Sequence, residues 1–314
     1  MKTRAMVVGF MMMAFLAMNV SAQEGPRLGK LVSTDKIIMG IVPAEDPREA
    51  LAKQKAVEAY ISKYTGVPVE TFAASDYTAV VEAMRGGRLH LALFGPFSYV
   101  LAAQRADAVP LVVSVNKDGS TTYRSYLTTT PEIAAELGLK TGVDHAPSGV
   151  EGLREVFKKL EPHKGEFTFA FTDPASTSGF AVPRHAMHSI GADPKDWFNR
   201  VAYVGSHDAG QLVVRNKIID FAACWDGTYH RMREDGRTSD ADVVVVWTSD
   251  PIPESPVAYR RDLPPDVVAK IREAFVNMPE ILAEKHGSLW RGFKETSEEE
   301  YQIIIEIKEM LDTL

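Results

Sequence analysis

The run Asp173-Pro174-Ala175-Ser176-Thr177-Ser178-Gly179-Phe180 sets three consecutive hydroxyl side chains between an aromatic strand and a helical pattern. The first N–H groups of a helix have no internal acceptor and lie at the positive end of its dipole, so an oxyanion can take several hydrogen bonds there. Three hydroxyls add neutral donors, which leave an anion free to depart as Arg or Lys would not. Simple N-capping by Ser176 or Thr177 accounts for the same residues. Other chemistries fare less well. Serines near His207 and Asp208 invite a hydrolase reading, but there is no Gly-x-Ser-x-Gly elbow, and adjacent His and Asp do not easily form the base and orienter of a triad. His185 and His188 have tolerable metal-ligand spacing on a predicted helix, yet no Cys or carboxylate cluster completes a site. Cys224 is the only cysteine, so no intrachain disulfide forms, and it reads as a small buried apolar group. No cofactor and no metal are expected.

These residues must be positioned by an alternation of strands and helices. Strands are predicted at 36–42, 67–73, 89–94 and 110–115. Helices fall between them at 47–64, 77–85 and 96–105, with Asp46 and Ser75 or Asp76 as N-caps and Gly66 and Gly86-Gly87 as stops. This pattern predicts an α/β layer with helices on both faces of a largely parallel sheet. Two extended stretches, 121–130 and 243–256, read as crossings to a second α/β unit. That unit has helices near 149–160, 178–189 and 209–216 and strands near 167–171, 201–204 and 219–224. Helices at 264–277 and 297–314 then complete the first unit. Two α/β lobes joined by two extended connections form a hinged clam with a cleft between them. The expected division is 23–126 with 247–314 for lobe 1 and 127–246 for lobe 2.

The 314 residues, 45% hydrophobic and 25% charged, fit a globular protein of about two domains. A net charge of -7 argues against a nucleic-acid partner, because phosphate backbones are bound by surplus cations. Residues 1–22 read as a signal peptide: Lys2 and Arg4 precede an apolar run that ends in Val20-Ser21-Ala22. Export across the membrane follows, and without a cysteine at the processing site no lipid anchor is expected.

The chain resembles the periplasmic phosphonate and phosphite substrate-binding proteins of ABC importers. The likeness rests on Ala74-Ser75-Asp76-Tyr77, Leu93-Phe94-Gly95-Pro96, the 173–180 run, Gly205-Ser206-His207-Asp208, 220–226 and Ile252-Pro253-Glu254-Ser255-Pro256. It implies a type II periplasmic binding protein fold, each lobe a mixed sheet flanked by helices, with two hinge crossings. It also implies that Ser176, Thr177 and Ser178 hold phosphorus oxygens, with His207 as a further donor whose charged form the anion favours. Tyr77 and Phe94 would reach in from the other lobe, Phe94 standing where some relatives carry tyrosine, and Tyr123 and Trp225 would wall the cleft. Asp226 matches an acidic position that holds an ammonium in relatives binding aminoalkylphosphonates. Here it would pair with a ligand P–OH, because Ser255 replaces the second carboxylate that a buried ammonium needs. The expected partners are a small phosphorus oxyanion and an ABC permease, bound by a monomer. A receptor presenting an oxyanion to a sensor kinase is the alternative, with arsenite as ligand if Cys224 takes part.

Overall fold

The computed structural model describes residues 27–286 and 289–314; the expected signal peptide lies outside them. Four strands, β1 (Ile37–Ile41), β2 (Val69–Ala73), β3 (Leu91–Leu93) and β4 (Ala108–Asn116), alternate with α1 (Pro47–Thr65), α2 (Tyr77–Arg85) and α3 (Pro96–Ala106). After β5 (Thr122–Tyr123) the chain enters a second sheet of β6 (Ser125–Thr129), β7 (Thr168–Phe171), β8 (Arg200–Tyr203), β9 (Phe221–Trp225) and β10 (Val244–Thr248). Its helices are α4 (Pro131–Glu136), α5 (Gly149–Leu160), α6 (Val182–Ser189), α7 (Pro194–Trp197), α8 (His207–Arg215) and α9 (Asp226–Glu234). The chain returns through β11 (Ile252–Pro253), β12 (Pro256–Arg260), α10 (Pro265–Val276), α11 (Glu280–His286), β13 (Trp290–Glu295) and α12 (Gln302–Leu311).

Local chemistry starts and stops the helices. The Asp46 carboxylate accepts the Arg48 N–H ahead of α1, Asp76 accepts that of Ala79 ahead of α2, and Ser206 accepts that of Ala209 ahead of α8. Gly66, at φ 76°, ends α1 in the left-handed conformation that glycine adopts without a Cβ penalty.

Each lobe is built on a mixed sheet. The six-stranded one runs β13-β4-β12-β3-β1-β2, and β12 lies antiparallel between β3 and β4. The five-stranded one runs β10-β6-β9-β7-β8, with β7 parallel to β8 and β9 and β6 antiparallel to β9 and β10. The largely parallel sheet expected from the alternation is corrected by the returning chain: β12 and β13 both enter against the direction of their neighbours.

The two crossings pair with each other, Tyr123 opposite Ile252 and Thr122 opposite Pro253. Strands β6 and β10 belong whole to the five-stranded sheet, and the expected boundaries after 126 and 246 run through them. The lobes are closed. One apolar cluster runs from Val80, Phe94 and Phe97 in the six-stranded lobe to Phe169, Phe171 and Ala181 in the other. Across the interface the Phe97 N–H donates to Thr177 Oγ1 at 2.8 Å and the His207 N–H to the Ala44 carbonyl at 3.0 Å. Among the described residues no helix is long and apolar enough to cross a membrane.

Candidate functional site

Strand β7 delivers the chain into the hydroxyl run, which forms a single π-type turn over Thr177–Ala181 before α6 begins. Expanded turns of this kind are rare and concentrate at functional sites. Asp173 folds the approach by accepting the Ala175 N–H at 2.7 Å. Ser176 caps the turn, its Oγ accepting the Gly179 N–H at 3.1 Å, so the N–H groups of Thr177 and Ser178 occupy the unpaired positions of a helix start. The Tyr77 and Tyr123 phenols lie on the same cavity as the Ser176, Thr177 and Ser178 side chains. Burial raises both phenols' pKa, so they act as neutral O–H groups.

These groups converge on a cavity of about 90 Å³ between the lobes. By the roughly 10–15 Å³ that one water-sized group occupies on this measure, it admits about six to nine such groups. Tyr77, Phe94, Tyr123, Ser176, Thr177, Ser178, His207 and Ser255 all line it, so eight of the nine predicted residues meet in one place. Trp225 walls it as well. Its indole packs over Gly227, where an added Cβ would sit 2.4 Å from the ring. Ile41, Ala50, Gln54, Leu93 and Trp290 also line the cavity, and among the described residues Glu45 is the one charged lining residue. An anion here would be held by hydroxyls, N–H groups and an imidazole, with no lysine or arginine among the described lining residues.

Backbone contacts and burial fix the state of His207. Its Nδ1 accepts the Trp225 N–H at 3.1 Å, which fixes the lone pair there and leaves the proton on Nε2. Burial, aided by the Arg231 guanidinium and opposed by Asp208, pushes the imidazole down to about 4, so it is a neutral donor rather than a cation. The unfolded chain binds a proton near pH 6.5 and the fold does not, so this contribution to stability is complete above 6.5 and is lost as pH falls toward 4. Asp226 and Glu254 act oppositely. Burial raises them to about 7 and about 6, and their contribution is lost as pH rises through those values. His207→Asn keeps an acceptor for the Trp225 N–H and isolates the histidine. Wild type should lose about 2 kcal/mol more unfolding free energy than the variant between pH 7 and pH 5. Urea titrations at both pH values measure this, and parallel pH dependence would show that the histidine is not held neutral.

Asp226 is the predicted residue that does not line the cavity. It opens α9, and its carboxylate accepts the N–H groups of Arg124 and Gly227, each at 2.8 Å. It lines a neighbouring pocket with Arg124, Tyr126 and His230, and Tyr123 stands between the two, lining both. The carboxylate's partners are backbone groups at the hinge, which fixes its geometry without a ligand. Beside Ser255, the Glu254 carboxylate accepts from Ser255 N, Ser114 Oγ and Trp290 Nε1. Cys224 is fully buried in the core of the five-stranded lobe with Tyr126, Val214 and Val245, away from the cavity lining. Sequence reasoning missed Glu45, Gln54 and Trp290. Gln54 carried a signal, being a polar residue on the stripe of α1 that buries Val57 and Ile61.

The pattern of the family described as "ABC transporter, phosphonate, periplasmic substrate-binding protein" matches residues 39–301. Among curated proteins, the Phosphate-import protein PhnD of Mycolicibacterium smegmatis is 29% identical over 251 residues, covering 77% of this chain and 71% of the relative. The Phosphonates-binding periplasmic protein of Escherichia coli is 26% identical over 262 residues, covering 82% and 72%. Among solved structures, PhnD1 from Prochlorococcus marinus in complex with methylphosphonate shares the fold at a TM-score of 0.75 and 18% identity, over 90% of this chain and 100% of that one. Since the family pattern spans most of its length, the chain belongs to the periplasmic phosphonate substrate-binding proteins of ABC transporters.

Proposed function

We propose that this protein captures a small phosphorus oxyanion, such as phosphite, methylphosphonate or a related short phosphonate, by closing its lobes, and presents it as a monomer to an inner-membrane permease. The observation that carries the reading is the convergence of the Ser176–Ser178 turn, His207 and the Tyr77 and Tyr123 phenols on one small cavity. Hydrogen bonds from neutral donors to a charged group contribute about 1.5–3 kcal/mol each, so a few of them reach the roughly -8 kcal/mol of micromolar capture without a fixed cation. Asp226 has no place among the ligand contacts in this account, because it does not line the cavity.

No bond is made or broken. A histidine whose Nδ1 accepts a backbone N–H lacks the carboxylate orienter of a hydrolytic base, and Asp208 is turned instead to Arg231 and Arg237. The position of Cys224 in the core speaks against arsenite capture. Calorimetric titration of the purified protein with phosphite, methylphosphonate, phosphate and sulfate tests the proposal. Micromolar binding of at least one of the first two, tighter than sulfate, is expected. Failure of phosphite, methylphosphonate and every other short phosphonate tried to bind would overturn it.

A further inference from the structure

Gln54 is 3% exposed, projects from α1 into the cavity, and has no hydrogen-bond partner for its Oε1. Buried polar atoms are nearly always paired, because an unpaired one forfeits its hydration. Ala50, one turn earlier on the same face of α1, also lines the cavity and leaves room beside the amide. Beside it Ile41, Val42 and Leu93 are apolar, and Glu45, which also lines the cavity, is already paired with Lys53 and Arg231.

We infer that Gln54 is a specificity-determining residue that hydrogen-bonds a hydroxyl on the ligand's substituent, so that a short hydroxyalkylphosphonate is preferred over an apolar one of equal size. The inference rests on the ligand class proposed above. A hydroxyl fits because it both donates and accepts, and so satisfies the amide whichever end faces the cavity. An ammonium does not fit. Among the described residues the only carboxylate lining the cavity, Glu45, already holds Lys53 at 2.6 Å and Arg231 at 3.6 Å, and a buried ammonium needs a free one. A carboxylate substituent would set a second anion in the cavity that Glu45 lines.

The test compares hydroxymethylphosphonate with ethylphosphonate, its apolar counterpart of equal size, by calorimetry on wild type, Gln54→Leu and Gln54→Met. Wild type should bind the hydroxylated ligand at least about tenfold tighter, the gain of one satisfied hydrogen bond. Either variant should bind the two ligands within about threefold of each other, with a thermal melt showing that it is folded. Equal binding of the two ligands by wild type, or a preference that survives in a folded variant, overturns the role of Gln54 and leaves the ligand class standing. If wild type binds neither of these nor phosphite nor methylphosphonate, the ligand class falls and this inference with it.

Discussion

Replacing Gly179 by alanine is expected to abolish measurable ligand binding, with a loss of at least about a hundredfold, and to cost about 1–3 kcal/mol of stability through overpacking. The backbone conformation is not the obstacle; the space is. A Cβ at this position would lie 2.2 Å from Thr172 Oγ1, 2.3 Å from Thr172 Cβ and 2.8 Å from Ser176 Oγ, all closer than real contacts allow. Two of these atoms serve the site. Thr172 is fully buried with its Oγ1 3.1 Å from His207 Nδ1, and Ser176 Oγ caps the turn by accepting the Gly179 N–H. Any relaxation that makes room for the methyl therefore moves the imidazole, the capping serine or both. A well-packed interior transmits such a shift rather than absorbing it. Calorimetry with the best ligand of the wild type, alongside a thermal melt, measures the two effects. A folded variant binding within threefold of wild type would show that the turn is not the anion-holding element.

The features legible in the sequence are those whose causes are local. Asp46 and Asp76 cap helices by accepting N–H groups two or three residues away, so the starts of α1 and α2 could be read from the chain, whereas α8, expected from 209, begins two residues earlier behind Ser206. The hydroxyl run marked the turn that precedes α6 for the same reason. Features fixed by distant partners were not legible. Strand β12 gets its place by pairing Val257 with Leu93 on one side and Val112 on the other, and the proline-rich stretch before it reads only as a crossing. Trp290 enters the cavity from β13, a short, polar, bulged strand with weak alternation. Helix α9 has no side-chain cap to mark its start, so Asp226 could not be seen turning back to the hinge amides. The neutrality of His207 likewise depends on the Trp225 N–H and on complete burial, neither of which spacing reveals.

Asp208→Ala should remove about 3–5 kcal/mol of unfolding free energy, the usual result of stranding one partner of a buried ion pair. Both side chains are almost completely buried, Asp208 5% and Arg231 8% exposed, and they are joined by a direct hydrogen bond; Asp208 also accepts from Arg237 at 2.8 Å. Without Asp208, Arg231 keeps only Glu45 at 3.6 Å and Asp235 at 3.8 Å. The network also ties the lobes together. Arg231 and Arg237 project from the five-stranded lobe toward Glu45 and Glu49 in the other, and Glu45 lines the ligand cavity. A change that loosens Arg231 therefore weakens the closed state, and ligand affinity falls with it by the free energy that closure loses. Removing both charges separates the causes. Asp208→Ala with Arg231→Met leaves no buried charge stranded, so most of the stability should return, whereas the interlobe pair with Glu45 is gone and affinity should stay low. Urea unfolding followed by tryptophan fluorescence, with ligand titrations on the same samples, reads both quantities. Additive stability losses in the double variant, or wild-type affinity once stability is restored, would show that these charges neither depend on one another nor hold the lobes shut.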